Sequence, residues 1–102
     1  MEKSVKISML PEIYKNLLTE KQADISDLYY NQNLSLSEIA DESGVTRQAV
    51  RKSLVEAEKN LFIYENKLKI LEKQIQREKK VDKILNQIKD EKLAKLIEEL
   101  KI

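Results

Sequence analysis

Residues 35–50 read SLSEIADESGVTRQAV, and this stretch has the pattern of two helices joined by a tight turn. Ser35 and Glu38 are spaced as a capping box, in which each side chain hydrogen-bonds to the other residue's backbone N–H. Gly44 is the only glycine of the chain and stands where a helix ends in the left-handed region. Thr46 is a favoured N-cap for the helix that follows. The stretch therefore predicts a helix-turn-helix.

The residues before this motif predict two further helices. Apolar residues recur at helical spacing from Leu10 onward, and Thr19-Glu20-Lys21-Gln22 is a second capping box. Pro11 fits near the start of the first of these helices. We predict helices at about residues 10–18, 20–31 and 36–43, and so an all-α fold.

From Arg47 onward, the apolar residues alternate at spacings of four and three, which is a heptad seam. Its members are Val50, Leu54, Ala57, Leu61, Tyr64, Leu68, Leu71 and Ile75. No glycine or proline interrupts it, so we predict one helix from residue 47 to about 78. Such a helix spans about 45 Å, which exceeds the width of a small helical domain. We therefore predict a helix-turn-helix domain at 1–58 and a helical arm at 59–102, with residues 80–101 forming one helix or two.

The distal part of the seam needs a covering surface. The C-terminal segment, a second chain or both could supply it, and the simpler alternative is a monomeric bundle. We predict a homodimer. The residues predicted to form its interface are Leu61, Tyr64, Leu68, Leu71 and Ile75.

The composition argues against an enzyme. The chain has no Cys and no His, which excludes zinc fingers, disulfides and Cys–His nucleophile pairs. A single glycine leaves no phosphate-cradling loop. We expect no catalytic residue, cofactor or metal. The longest apolar run is four residues, LFIY, so we expect a cytoplasmic protein without direct membrane insertion.

The net charge of +1 conceals an uneven distribution. Residues 1–46 carry 4 basic and 8 acidic side chains, whereas residues 47–80 carry 10 basic and 5 acidic ones. In a helix-turn-helix, the second helix meets base edges with its N-terminal residues. The predicted nucleic-acid contacts are Arg47, Gln48, Arg51 and Lys52 for bases and phosphates, and Ser35, Ser37 and Thr46 for phosphates. The alternative is that the first four side chains only solvate an exposed helix face.

Several segments resemble known bacterial proteins: LTEKQ, LYY, SLSEIA and VTRQAV, beginning at residues 18, 28, 35 and 45. They are similar to the helix-turn-helix of sigma factor region 4 and, more closely, to the YlxM-like family over about residues 7–75. The resemblance implies a sigma-region-4-like domain followed by a long helix. The positions that match the family's motif are Thr46, Arg47, Gln48 and Arg51, and the family has no established catalytic residues. The chain departs from sigma region 4 where Glu56 and Glu58 follow the start of the second helix.

The YlxM-like resemblance also implies a gene beside those of the signal recognition particle GTPases. It thereby implies a regulatory role in that protein-targeting pathway, with components of the particle as partners. Together with the residue pattern, this predicts a regulatory protein that binds DNA or RNA. The alternative is a protein–protein adaptor that uses the helical arm and binds no nucleic acid.

Overall fold

The computed structural model describes residues 2–101, and within them it contains helices and no strand. The α-helices are α1 (Lys3–Tyr14), α2 (Glu20–Ser26), α3 (Leu36–Ser43), α4 (Arg47–Leu68), α5 (Ile70–Leu85) and α6 (Glu91–Glu98). Short 3-10 segments follow α1 at Lys15–Leu17 and α6 at Glu99–Lys101, and α2 continues as a π-helical turn at Asp27–Asn31. The predicted all-α fold is confirmed.

The two capping boxes form as predicted. The backbone N–H of Gln22 donates to the Thr19 hydroxyl at 3.1 Å, and the Thr19 N–H donates to the Gln22 side chain at 3.3 Å. Ser35 and Glu38 exchange the same pair of hydrogen bonds, both at 3.1 Å. Because each box satisfies donors that a helix start leaves unpaired, it fixes where the helix begins. The predicted helices at 20–31 and 36–43 are confirmed.

The prediction for the first helix is wrong at both ends. Helix α1 begins at Lys3, seven residues before the predicted start, and ends at Tyr14. Pro11 consequently lies near the end of the helix rather than its beginning. Leu17, which lies at helical spacing from Leu10 within the predicted range, is half exposed in the 3-10 segment. The buried face of α1 is formed instead by Ile7, Leu10, Pro11 and Tyr14.

The chain divides into two compact units, residues 1–68 and 69–102. In the first unit, α4 packs against α1, α2 and α3. Its core is formed by Ile25, Ile39, Ala40, Val50 and Leu54, with Leu61 and Tyr14 also buried. The predicted boundary at residue 58 falls inside α4, ten residues before the units divide.

The predicted continuous helix from 47 to 78 is wrong, because the helix is interrupted at Lys69. This residue has φ 54° and ψ 33°, in the left-handed region, between the end of α4 at Leu68 and the start of α5 at Ile70. A non-glycine residue adopts that conformation at a cost of about 1–2 kcal/mol. The heptad seam continues across the break without a change of spacing, so the sequence pattern carries no sign of it.

The second unit contains α5 and α6, joined by residues 86–90. The Asp90 side chain caps α6 by accepting from the Lys92 N–H at 2.9 Å. An ion pair between Lys101 and Asp82 connects the end of the chain to α5. The segment 80–101 is therefore two helices. Across the described residues, no helix is long and apolar enough to cross a bilayer.

Candidate nucleic-acid interface

The turn between α3 and α4 is held by hydrogen bonds to both helices. Gly44 has φ +68° and ψ 28°, the left-handed conformation that its position predicts. The N–H groups of Gly44 and Val45 both donate to the carbonyl of Ala40, the latter at 3.2 Å. On the other side, the Thr46 hydroxyl accepts from the Ala49 N–H at 3.1 Å. The start of α4 is therefore set by its own local sequence.

The first two turns of α4 present polar side chains to solvent. Arg47, Gln48, Arg51 and Lys52 are all exposed, while Val50 between them is fully buried in the core. Over residues 2–101, none of the four exposed side chains makes a hydrogen bond or an ion pair within the chain. A ligand can consequently bind them without breaking a hydrogen bond or an ion pair of the fold.

The three predicted phosphate contacts are divided between the two ends of α3. Thr46 lies beside Arg47, whereas Ser35 and Ser37 lie at the start of α3, about 12 Å away along an eight-residue helix. All three are exposed. The hydroxyl oxygens of Ser35 and Thr46 already accept capping bonds, which leaves each O–H as a donor. Thr46 thus lies beside the basic side chains of α4, whereas the two serines lie at the other end of α3.

The electrostatics of the two ends differ. At the start of α3, hydrogen bonds from the Ser35 backbone and side chain lower the pKa of the exposed Glu38 below its ordinary value. A carboxylate therefore stands next to Ser35 at neutral pH, which opposes a phosphate there. No acidic residue occupies the corresponding first turn of α4. The start of α4 is the more favourable of the two ends for an anion.

Glu58, an acidic departure from sigma region 4, lies away from the exposed face of α4. Its carboxylate accepts a hydrogen bond from the hydroxyl of Tyr30, and both residues are partly buried. Burial, together with this bond, raises the pKa of Tyr30 far above its ordinary value. Glu58 is thus part of the packing between α4 and the π turn after α2, whereas Glu56 is exposed.

Two further residues on the exposed face of α4 were not predicted from the sequence. Val55 is 53% exposed, and Lys59 is also exposed. At 3.6 residues per turn, positions 48, 52, 55 and 59 share one helix face. The exposure of Val55 could have been predicted from the sequence, because Val55 is an apolar residue that lies off the heptad seam.

The residues predicted to form a dimer interface do not make one exposed surface. Leu61 and Leu71 are buried in the single chain, so a second chain cannot reach their side chains. Tyr64 is half-buried and its hydroxyl donates to the Leu17 carbonyl at 3.0 Å. Ile75 is half-buried, and Leu68 is exposed. Leu61 and Leu71 are therefore covered within the single chain, while the homodimer and its interface stay a prediction.

Within the described range, no cluster of three or more acidic side chains is placed to hold a metal ion.

Comparison with known proteins gives one consistent family. The family model described as "Putative helix-turn-helix protein, YlxM / p13 like" matches residues 1–101. A UPF0122 protein of Clostridium botulinum is 42% identical over 90 residues, which cover 88% of this chain and 83% of the relative. A UPF0122 protein of Clostridium kluyveri is 39% identical over 104 residues, covering 99% and 94%. One of Desulforamulus reducens is 43% identical over 86 residues, covering 84% and 74%.

Proposed function

The chain belongs to the UPF0122 family, as the YlxM-like resemblance predicted, and from that premise we propose that it binds duplex DNA with the start of α4. The observation that carries the proposal is the exposed group of Arg47, Gln48, Arg51 and Lys52, whose side chains make no hydrogen bond or ion pair within the described residues. It follows a hydrogen-bonded turn of the kind that places a recognition helix. We propose a regulatory rather than a catalytic role, which agrees with a family that is described as helix-turn-helix proteins.

The side chains fit the chemistry of the major groove. Arg47 and Arg51 can each donate two parallel hydrogen bonds to a guanine edge or to a phosphate. Gln48 can pair with the edge of adenine, and Lys52 supplies a charge for a phosphate. One turn further along, the exposed Val55 offers an apolar contact for a thymine methyl group. At the helix start, the Thr46 O–H and the first backbone N–H groups of α4 face an incoming phosphate.

The charge of this surface gives a quantitative expectation. Three cations, Arg47, Arg51 and Lys52, correspond to about three neutralised phosphates per protein chain. Counterion release then predicts a slope of about −2.7 in log affinity against log salt. The affinity should fall about 40-fold between 50 and 200 mM salt.

Binding of labelled duplex DNA across this salt range tests the proposal. The variant Arg47→Ala/Arg51→Ala should reduce the magnitude of the slope by about 1.8, because two phosphate contacts are lost. The control Lys21→Ala/Lys67→Ala removes the same formal charge from exposed positions elsewhere in the first unit and should keep the wild-type slope. Equal slopes for both variants, or the absence of binding by the wild type, would overturn the proposal. Binding of duplex RNA without binding of DNA would overturn the assignment to DNA.

The signal recognition particle role is an expectation from the resemblance, and we propose it as the setting in which the interface acts. Recovery of particle components from lysate, with and without nuclease, tests it. Recovery of components that depends on both DNA and the two arginines would support the proposal. Components retained after nuclease by Arg47→Ala/Arg51→Ala would favour the alternative function, a protein adaptor.

A further inference from the structure

The second unit carries an exposed row of leucines on α6 and the 3-10 turn that follows it. Leu93, Leu96 and Leu100 are 47%, 61% and 60% exposed, and they recur at helical spacing. We call these three residues the leucine patch. Ile97, which lies next to Leu93 and Leu100 on the helix surface, and Ala94 are half-buried, consistent with the contacts between α6 and α5. Single exposed apolar residues are ordinary, but a row on one face of a short helix is typical of a surface that another molecule covers.

The position of the leucine patch is fixed within its unit. Asp90 caps α6 through the N–H groups of Lys92 and Leu93, and Lys101 pairs with Asp82 of α5. Ile84 of α5 is also exposed and lines a hollow of about 510 Å³ together with Leu100. The patch is therefore part of a built hairpin surface that extends onto α5.

Two residues of opposite charge flank the leucine patch. Lys92 precedes Leu93, and Glu99 precedes Leu100. Both charged residues are exposed, and they flank the same edge of the helix, about 10.5 Å apart at 1.5 Å per residue. When a copy of this helix lies antiparallel with its centre at Leu96, Lys92 comes within one residue, about 1.5 Å along the helix axis, of the position opposite Glu99 of the partner subunit. The same operation brings Leu93 within one residue of the position opposite Leu100 of the partner subunit.

We propose that the leucine patch pairs with the same patch of a second chain, antiparallel about a two-fold axis near Leu96. An isologous interface requires a surface that is complementary to itself. Lys92 and Glu99 make the patch complementary to itself in charge, and the leucines place apolar residues opposite apolar residues. The segment from Glu91 to Lys101 carries three acidic and three basic side chains. That balance disfavours a membrane surface or a nucleic acid, both of which select an excess of positive charge.

This interface lies outside the predicted seam and does not depend on the proposed DNA binding. If the chain both dimerises through this interface and binds DNA, the dimer presents the N-terminal ends of two α4 helices, as a two-fold symmetric DNA site requires. The oligomeric state is measured without nucleic acid, so failure of one proposal is distinguishable from failure of the other.

Charge reversal in the full-length chain tests the pairing. Sedimentation equilibrium gives the dimer Kd of the wild type and of Lys92→Glu, Glu99→Lys and the double variant. Each single reversal places two like-charged pairs in the interface and should raise the Kd about tenfold. The double variant restores both pairs in reversed order and should return the Kd close to the wild-type value. High salt should shrink all of these differences.

Leucine substitution gives a second, independent readout. Leu96→Glu places two carboxylates at the proposed two-fold axis and should abolish dimerisation. The control Val55→Glu changes a similarly exposed apolar residue on α4 and should leave the dimer intact. A monomeric wild type, single reversals without effect, or a double variant no better than the singles would overturn the proposal. If a variant loses dimerisation but keeps the helical circular dichroism spectrum of the wild type, it has lost pairing and not folding.

Discussion

Replacing Tyr14 with Phe tests how α1 is attached to α4. Tyr14 is 1% exposed, and its hydroxyl donates to a carboxylate oxygen of Glu65 at 2.7 Å, where Glu65 is itself 2% exposed. The substitution keeps the aromatic ring, so it creates no large cavity, and it removes only this hydroxyl. Removing one partner of a buried hydrogen bond costs about 1–3 kcal/mol. We therefore expect the free energy of unfolding to fall by about 2 kcal/mol.

Tyr64→Phe is a matched control, because it deletes the same atom from the same residue type. The Tyr64 hydroxyl donates to the neutral carbonyl of Leu17 at 3.0 Å from a less buried position. A neutral bond of this kind contributes about 0.5–1.5 kcal/mol. The two tyrosine rings are adjacent, with centroids 6.1 Å apart, so both variants report on the same region of the first unit.

Tyrosine fluorescence during thermal and urea unfolding measures both variants. The chain has four tyrosines and no tryptophan, and Tyr14, Tyr29, Tyr30 and Tyr64 all lie in the first unit. The signal therefore follows that unit alone. For a domain of this size, about 2 kcal/mol lowers the Tm by about 8–16 °C. A loss for Tyr14→Phe no larger than that for Tyr64→Phe would refute the assignment of a strong buried bond to Tyr14 and Glu65.

The turn and the capping box give two further predictions. Gly44→Ala should destabilise the first unit by about 1–2 kcal/mol, and Gly44→Asn should destabilise it by less. No atom lies within 4 Å of an added Cβ, so the lost stability comes from the left-handed backbone conformation and not from a clash. Equal stability of Gly44→Ala and the wild type in urea would contradict this. The lowered pKa of Glu38 stabilises the fold above the ordinary value of 4.5, and this contribution is lost as the pH falls through the folded-state pKa. Glu38→Gln should therefore flatten the acid side of the stability profile, and an unchanged slope there would contradict the role of the capping box.

Local signals predicted the motif because each depends on a few neighbouring residues. The hydroxyl of Ser35, the carboxylate of Glu38 and the missing Cβ of Gly44 determine their backbone geometry without help from the rest of the fold. Those positions were predictable for that reason. The exposure of the side chains at the start of α4 followed from the same register, since Val50 must face the core.

The errors arose where tertiary contacts or a single backbone conformation decided the outcome. The start of α1 at Lys3 depends on packing against α4, and the residues before Leu10 show only a weak apolar pattern. Lysine has no preference for the left-handed region, so nothing in its sequence context marks the break at Lys69. Heptad spacing identified which side of α4 is apolar, but it could not show whether α1, α5 or another chain covers Leu61.

The two faces of α4 differ in their environment along its first turns. Val50 and Leu54 hold the core, while Gln48, Lys52 and Val55 make no contribution to it. If the start of α4 binds DNA as proposed, substitutions on the outer face change the molecule's ligand preference at little cost in stability. A lineage with this architecture can diverge in what it recognises while its fold stays constant, and selection on the two properties acts on separate sets of codons.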